Sequence, residues 1–290
     1  MGQKRRFGIL GGDGRQAALG SLLARDGHEV VLWGLDRIET PLPRAAEIAD
    51  LTAAEVIVLP LPALGADGGI NLPFAASGER YSPGKVCAAL RPAQVIFTGG
   101  LPEALAKAAE ARGLTLADYA AREEFAVANA VPTAEGAIAA AMEALPVTLC
   151  GQAALVIGYG RLGRALAPRL RALGMDVAVA ARRHAPLAWA RAEGLSTLHT
   201  DALQDALGRF RIIVNTAPAL LLTAPLLREV RGDAVCIDLS SRPGGIDFDA
   251  AEALGVRTVH ALGLPGKVAP ESAALAVRDT IYHCLEEMEP

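Results

Sequence analysis

Residues 153–174 read AALVIGYGRLGRALAPRLRALG: an apolar run, then Gly158-x-Gly160-x-x-Gly163, then an amphipathic helical pattern that stops at Gly174. The run fits a buried parallel strand. The glycines fit a tight turn into a helix whose first backbone N–H groups face a pyrophosphate. Three glycines alone are a common pattern. The strand before them, the helix after them and a second strand at Asp176 to Ala181 supply the context of a dinucleotide-binding unit. Gly158, Tyr159, Gly160, Arg161, Leu162 and Gly163 are therefore the candidate phosphate loop. The competing reading is an ordinary tight turn in a nucleotide-free α/β domain.

The end of the second strand narrows the cofactor. NAD-preferring sites place Asp or Glu there, about 20 residues past the fingerprint, to accept from the ribose 2′-hydroxyl. Here the chain reads Ala181-Arg182-Arg183. A carboxylate repels a 2′-phosphate, whereas guanidinium groups bind one through paired, charge-assisted hydrogen bonds. Arg182 and Arg183 favour NADP, against the alternative of a solvated helix start.

With 290 residues the chain has room for two domains, each with its own core. Aromatics make up only 4% and the net charge is −4, so stacking platforms and a strong positive field are both missing and nucleic acid is not an expected partner. The basic start Lys4-Arg5-Arg6 is followed by a short apolar run broken by Gly11, Gly12 and Asp13, unlike a secretory leader. No uninterrupted run of about 20 apolar residues occurs. These features lead us to expect a cytoplasmic protein with no membrane partner. Cys87, Cys150, Cys236 and Cys284 show no metal-binding spacing, and free buried thiols, with no metal and no disulfide, are the expectation.

Strand patterns at Phe7 to Gly11, His28 to Trp33, Val56 to Leu59 and Val95 to Thr98 alternate with helical patterns at Ala17 to Asp26, Ser82 to Leu90 and Glu103 to Arg112. Pro60 to Gly78, rich in Pro, Gly and Ala, reads as a loop. The alanine-rich stretch from Thr133 to Leu145 reads as a connecting helix with Thr133 as N-cap and Pro132 ahead of it. Beyond the fingerprint lie strands at Arg211 to Asn215, Ala234 to Leu239 and Arg257 to His260, and a final helix. The expected fold is α/β: two Rossmann-like doubly wound parallel-sheet domains with a cleft between them. Residues 1–129 form the substrate and catalytic domain, with helix 270–290 packing back on it. Residues 130–269 form the NADP-binding domain, with connecting helix 133–145.

Several strand-end loops carry groups suited to chemistry. Gly11-Gly12-Asp13-Gly14-Arg15-Gln16 lacks the dinucleotide spacing, but a helix start beside Arg15 could hold a carboxylate; a surface salt bridge is the alternative. Asp118, Arg122 and Glu123 could supply a proton acceptor and a substrate clamp, or could be a helix start with Asp118 as cap. Thr216, Ala217 and Pro218 follow a strand, as does Ser240, and ligands collect at strand carboxyl ends in such sheets. Lys267 and Arg242 are candidate anion contacts, with solvated loops as the alternative.

The stretches GILGGDGRQ, DYAAREEFAVANAVPTAEGAI, LVIGYGRLGRALAPRLRALG, NTAPALLL, IDLSSRPGGIDF and LPGKVAP together resemble one family, the A subunits of dipicolinate synthase. They span nearly the whole chain, and the second is the most specific. The loop of residues 61–80 is the divergent part. The resemblance implies NADP-linked oxidation of dihydrodipicolinate to dipicolinate during sporulation, and a partner, the B subunit of dipicolinate synthase. For the small dicarboxylate substrate this implies, we expect Arg15, Arg122 and Lys267 to hold the carboxylates and Asp118 or Glu123 to take the proton. A homo-oligomer is left open. Two rival readings stand beside it: an NADP-dependent dehydrogenase of another small carboxylic acid, and a non-catalytic nucleotide-binding subunit that organises a partner.

Overall fold

A computed structural model describes residues 3–241 and 243–288. The chain divides into two units, Met1–Asn129 with Pro265–Pro290, and Ala130–Leu264.

The first unit begins with β1 (Arg6–Leu10), α1 (Gly14–Arg25), β2 (Glu29–Trp33), β3 (Val56–Val58), α2 (Pro83–Ala89), β4 (Val95–Thr98), α3 (Glu103–Glu110) and β5 (Leu116–Asp118). All five strands are parallel, in the order β2-β1-β3-β4-β5. Phe7, Ile9 and Leu10 of β1 and all of β3 are buried, as expected of parallel strands covered on both faces. The order reverses beside β1, so β1 and β3 flank the switch point at which open sheets of this kind bind ligands.

Next comes α4 (Glu123–Ala144), 22 residues long and continuous from the first unit into the second. It starts ten positions before the expected Thr133, and Pro132 lies inside it rather than ahead of it. A proline there has no N–H to bond the carbonyl of Ala128, yet the alanine-rich stretches on either side keep the helix going. Among the described residues α4 is the one helix long and apolar enough to cross a membrane, which the absence of a long uninterrupted apolar run did not suggest.

The second unit continues with β6 (Ala153–Ile157), α5 (Arg161–Ala172), β7 (Asp176–Ala181), α6 (His184–Ala192), β8 (Ser196–His199), β9 (Ile212–Asn215), α7 (Ala224–Leu227), β10 (Val235–Asp238), α8 (Phe248–Ala253) and β11 (Arg257–His260). Its six parallel strands lie in the order β11-β10-β9-β6-β7-β8, the doubly wound Rossmann arrangement with its switch point between β6 and β9. The chain ends with α9 (Leu264–Val268) and α10 (Pro270–Met288). Helix α10 packs along α1, burying Ala274, Val277 and Ile281 in the same cluster as Leu19 and Leu23. The expected α/β class, with two Rossmann-like parallel-sheet units, is thus observed. Cys150 is exposed, contrary to expectation, while the other three thiols are buried.

Candidate functional site

In the second unit, the turn between β6 and α5 uses its three glycines for two different purposes. Gly158 has φ of +97°, and a Cβ on it would lie 2.4 Å from Thr216 Oγ1. A Cβ on Gly163 would lie 2.2 Å from the Gly158 carbonyl oxygen, so α5 rests directly on the turn. Gly160 differs: it is exposed, a Cβ there meets nothing within 4 Å, and as N-cap of α5 it offers no side chain to the first N–H groups of the helix. The open space sits before the first turn of α5 and the positive end of the helix, which suits a pyrophosphate. A dinucleotide fits this cradle.

The other loop residues support it from behind. The Tyr159 ring is buried and its hydroxyl hydrogen-bonds Glu193; burial, then that carboxylate, push the phenol pKa up. Tyr159 therefore contributes packing, not a side chain for the cofactor. Leu162 packs on the core, and Arg161 opens the helix. At the end of β7, Arg182 and Arg183 are exposed, and neither makes an ion pair among the described residues.

At the ends of β9 and β10 the expected contacts are largely internal. The Thr216 hydroxyl donates to the Ile157 carbonyl at 2.9 Å, tying its loop to β6. The Ala217 N–H donates to Asn215 Oδ1 at 3.2 Å, and Pro218 is exposed. The Ser240 hydroxyl donates to Asp238 Oδ1 at 2.7 Å and is itself buried. Thr216 and Ser240 thus shape the strand-end loops with their hydroxyls. Arg242 lies outside the described residues.

The centre of this region is Asp238, fully buried at the end of β10. Asn215 Nδ2, the Ser240 hydroxyl and the Ser240 N–H all donate to Oδ1, while the Gly245 N–H donates to Oδ2 at 2.6 Å. Burial works against the charged carboxylate, but the donors prevail and hold its pKa below the ordinary value. The loop folds tightly over this charge, since a Cβ on Gly245 would lie 2.0 Å from Asn215 Nδ2. Residue order places both residues at strand ends without pairing them.

In the first unit, three expected residues come to the carboxyl end of the sheet. Asp13 caps α1 by accepting from the Arg15 N–H, and the Arg15 guanidinium turns back on the same carboxylate through Nε at 3.0 Å and Nη2 at 2.8 Å. Nη2 also donates to the Leu61 carbonyl at 2.9 Å. Arg15 is buried, so this is not the exposed pair that the alternative reading supposed. The helix start expected to attract a substrate carboxylate already carries one. Lys267 is exposed on α9, whose Gly266 packs so closely that a Cβ would lie 2.2 Å from Asp13 Oδ2. Asp118 ends β5 and, as the alternative reading had it, caps a helix start, the short 3₁₀ turn Tyr119–Ala121. Its Oδ1 accepts from the Gly100 and Ala120 N–H groups, both at 2.9 Å.

Arg122 and Glu123 go elsewhere. Arg122 grips both oxygens of Glu287 on α10, at 2.8 and 2.6 Å, and Glu124 at 2.7 Å. The hydrogen bonds it donates to those two carboxylates push its pKa up, and the expected clamp instead ties the start of α4 to α10. Glu123 is exposed in the first turn of α4. Gln16, which follows Arg15 in α1, is buried. Nearby Tyr119 is also fully buried, its pKa raised by desolvation.

Residues 6–120 match the family model described as the N-terminal domain of the dipicolinate synthase A subunit. The A subunit of dipicolinate synthase from Bacillus subtilis (strain 168) is 31% identical over 290 residues, covering 98% of this chain and 97% of that protein. The chain belongs to the family of dipicolinate synthase A subunits.

Crystal structures of two other members agree with the fold. The dipicolinate synthase A subunit from Bacillus halodurans has a TM-score of 0.87 at 29% identity, covering 97% of each chain. That from Bacillus subtilis has 0.84 at 30%, covering 100% of this chain and 98% of that one. Residues 112–241 also match the D-isomer specific 2-hydroxyacid dehydrogenase NAD binding domain. This member of the dipicolinate synthase family is therefore a dehydrogenase-like oxidoreductase subunit that takes a nicotinamide dinucleotide, and the naming of its relatives as one lettered subunit of a synthase implies a partner.

Proposed function

We propose that this chain oxidises dihydrodipicolinate to dipicolinate with NADP, as the cytoplasmic A subunit of a two-subunit sporulation enzyme whose partner is the dipicolinate synthase B subunit. The observation that carries the reading is the open cradle at Gly160 followed by the exposed Arg182 and Arg183, without ion pairs among the described residues, in a chain of the dipicolinate synthase family. No carboxylate ends β7 to accept from a ribose 2′-hydroxyl or to repel a 2′-phosphate.

The reaction removes one hydride and one proton from a partly reduced ring and leaves an aromatic pyridine. NADP, when bound, supplies the hydride acceptor. The chain's own residues hold the dinucleotide through the first N–H groups of α5 and the two arginines. Product aromaticity favours the reaction, so the protein mainly positions and takes the proton. Asp118 is the proposed acceptor: two backbone N–H groups fix Oδ1, and Oδ2 is left for the proton. Lys267 and Arg15 are proposed to hold the substrate carboxylates. Because Asp13 takes Nε and Nη2 of Arg15, a substrate oxygen would use Nη1.

The test follows absorbance at 340 nm and in the pyridine band while the chain, with NADP, receives freshly generated dihydrodipicolinate. Matched growth above spontaneous oxidation is expected, either alone or after adding the B subunit. No growth in either case, with NADP bound, would reject the reaction and leave another acid or a scaffold role.

A further inference from the structure

The end of β7 holds more than two arginines. His184, the next residue, begins α6 and is exposed; its ring lies 6.0 Å from that of His199, centroid to centroid and tilted by 34°. His199 ends β8, the strand paired with β7, and its Nε2 lies 2.7 Å from the Arg182 carbonyl oxygen. A carbonyl can only accept, so Nε2 carries the hydrogen in either protonation state of the ring. Nδ1 faces Asp201, 3.3 Å from its N–H and 3.2 Å from its Oδ2. His199 is thus held from one side and holds the Arg182 backbone from the other.

Resting on the NADP reading above, we propose that His184 joins Arg182 and Arg183 as a third side chain reading the 2′-phosphate, and that His199 is the residue that positions this turn. Three consecutive exposed donors, with no carboxylate partner among the described residues, stand on the turn that meets the adenosine ribose in such folds. A phosphate monoester offers several acceptor oxygens, enough for two guanidinium groups and an imidazole N–H. The bond from His199 fixes the backbone from which the three side chains project. Asp201 lies at Nδ1 of His199, on the ring nitrogen away from Arg182.

Calorimetry with 2′,5′-ADP and with 5′-AMP, on the full chain, separates the possibilities because the two probes differ only in the 2′-phosphate. The wild-type chain should bind 2′,5′-ADP at least about tenfold more tightly. His184→Ala should weaken 2′,5′-ADP by about three- to tenfold and leave 5′-AMP unchanged. His199→Ala should do the same, and His199→Gln, whose amide can donate to the Arg182 carbonyl, should restore most of the preference. Equal loss for both probes, or no loss for either, would overturn the assignment. If wild type bound the two probes equally, the NADP reading itself would fail; if it bound neither, the nucleotide cradle would fail with it.

Discussion

The carboxamide of Asn215 donates to the carboxylate of Asp238 at 2.9 Å, across strands β9 and β10 where the two residues stand in register. Neither residue faces solvent. Removing the charge by Asp238→Asn would leave backbone and side-chain donors pointing at a group that now donates in part. We expect a loss of about 3 kcal/mol in urea unfolding. The pH dependence follows from the depressed native pKa. A carboxylate that ionises more easily when folded contributes its stability above its unfolded pKa, about 4 for Asp, and loses it as pH falls through the lower native value. Wild type should therefore weaken below about pH 4 more steeply than Asp238→Asn. Parallel curves would reject an ionised Asp238.

The glycines of the phosphate loop should separate stability from binding. Gly163→Ala forces a methyl against the Gly158 carbonyl, so thermal stability should fall by about 1–3 kcal/mol. Gly160→Ala meets nothing in the protein and should melt like wild type, while its affinity for NADP falls at least about tenfold because the methyl fills the pyrophosphate space. Unchanged affinity in Gly160→Ala, read by fluorescence titration, would place the dinucleotide elsewhere.

Arg122→Ala tests whether this guanidinium serves the substrate or the fold. Its donors are taken by Glu287 and Glu124, so the variant should melt earlier with substrate KM and kcat preserved. A raised KM at unchanged stability would restore the clamp.

Asp13→Ala removes the N-cap of α1 and leaves the buried Arg15 without its counter-charge. Loss of the cap and of a largely buried pair should cost about 3 kcal/mol in unfolding experiments. Asp13→Asn retains the cap acceptor and should cost less. If both variants were as stable as wild type, the Asp13–Arg15 pair would have no structural role.

What could be read from residue order was what local pattern encodes. The fingerprint at Gly158 was readable because its three glycines and the apolar run before them occupy one continuous stretch. Strand β5 was missed: Leu116, Ala117 and Asp118 are all half-buried at a sheet edge, so no alternation marks them. Strand β8, Ser196 to His199, lies at the other sheet's edge with the same weak pattern. The true start of α4 was hidden by Pro132, which reads as a boundary but is tolerated inside a long alanine-rich helix. The pairing of Asn215 with Asp238, and the turn of Arg122 toward Glu287, depend on residues far apart in sequence that only sheet register and helix packing bring together.

The first unit is assembled from both ends of the chain, with α10 laid along α1. During synthesis, therefore, the nucleotide unit emerges whole while its neighbour still lacks a piece. Until α10 leaves the ribosome, Leu19 and Leu23 of α1 have no cover from Val277 and Ile281. The protein's N-terminal half is the last to be finished. A chain cut short before Pro270 would carry a complete Rossmann sheet joined to an exposed apolar helix, the kind of surface that chaperones hold and aggregates recruit.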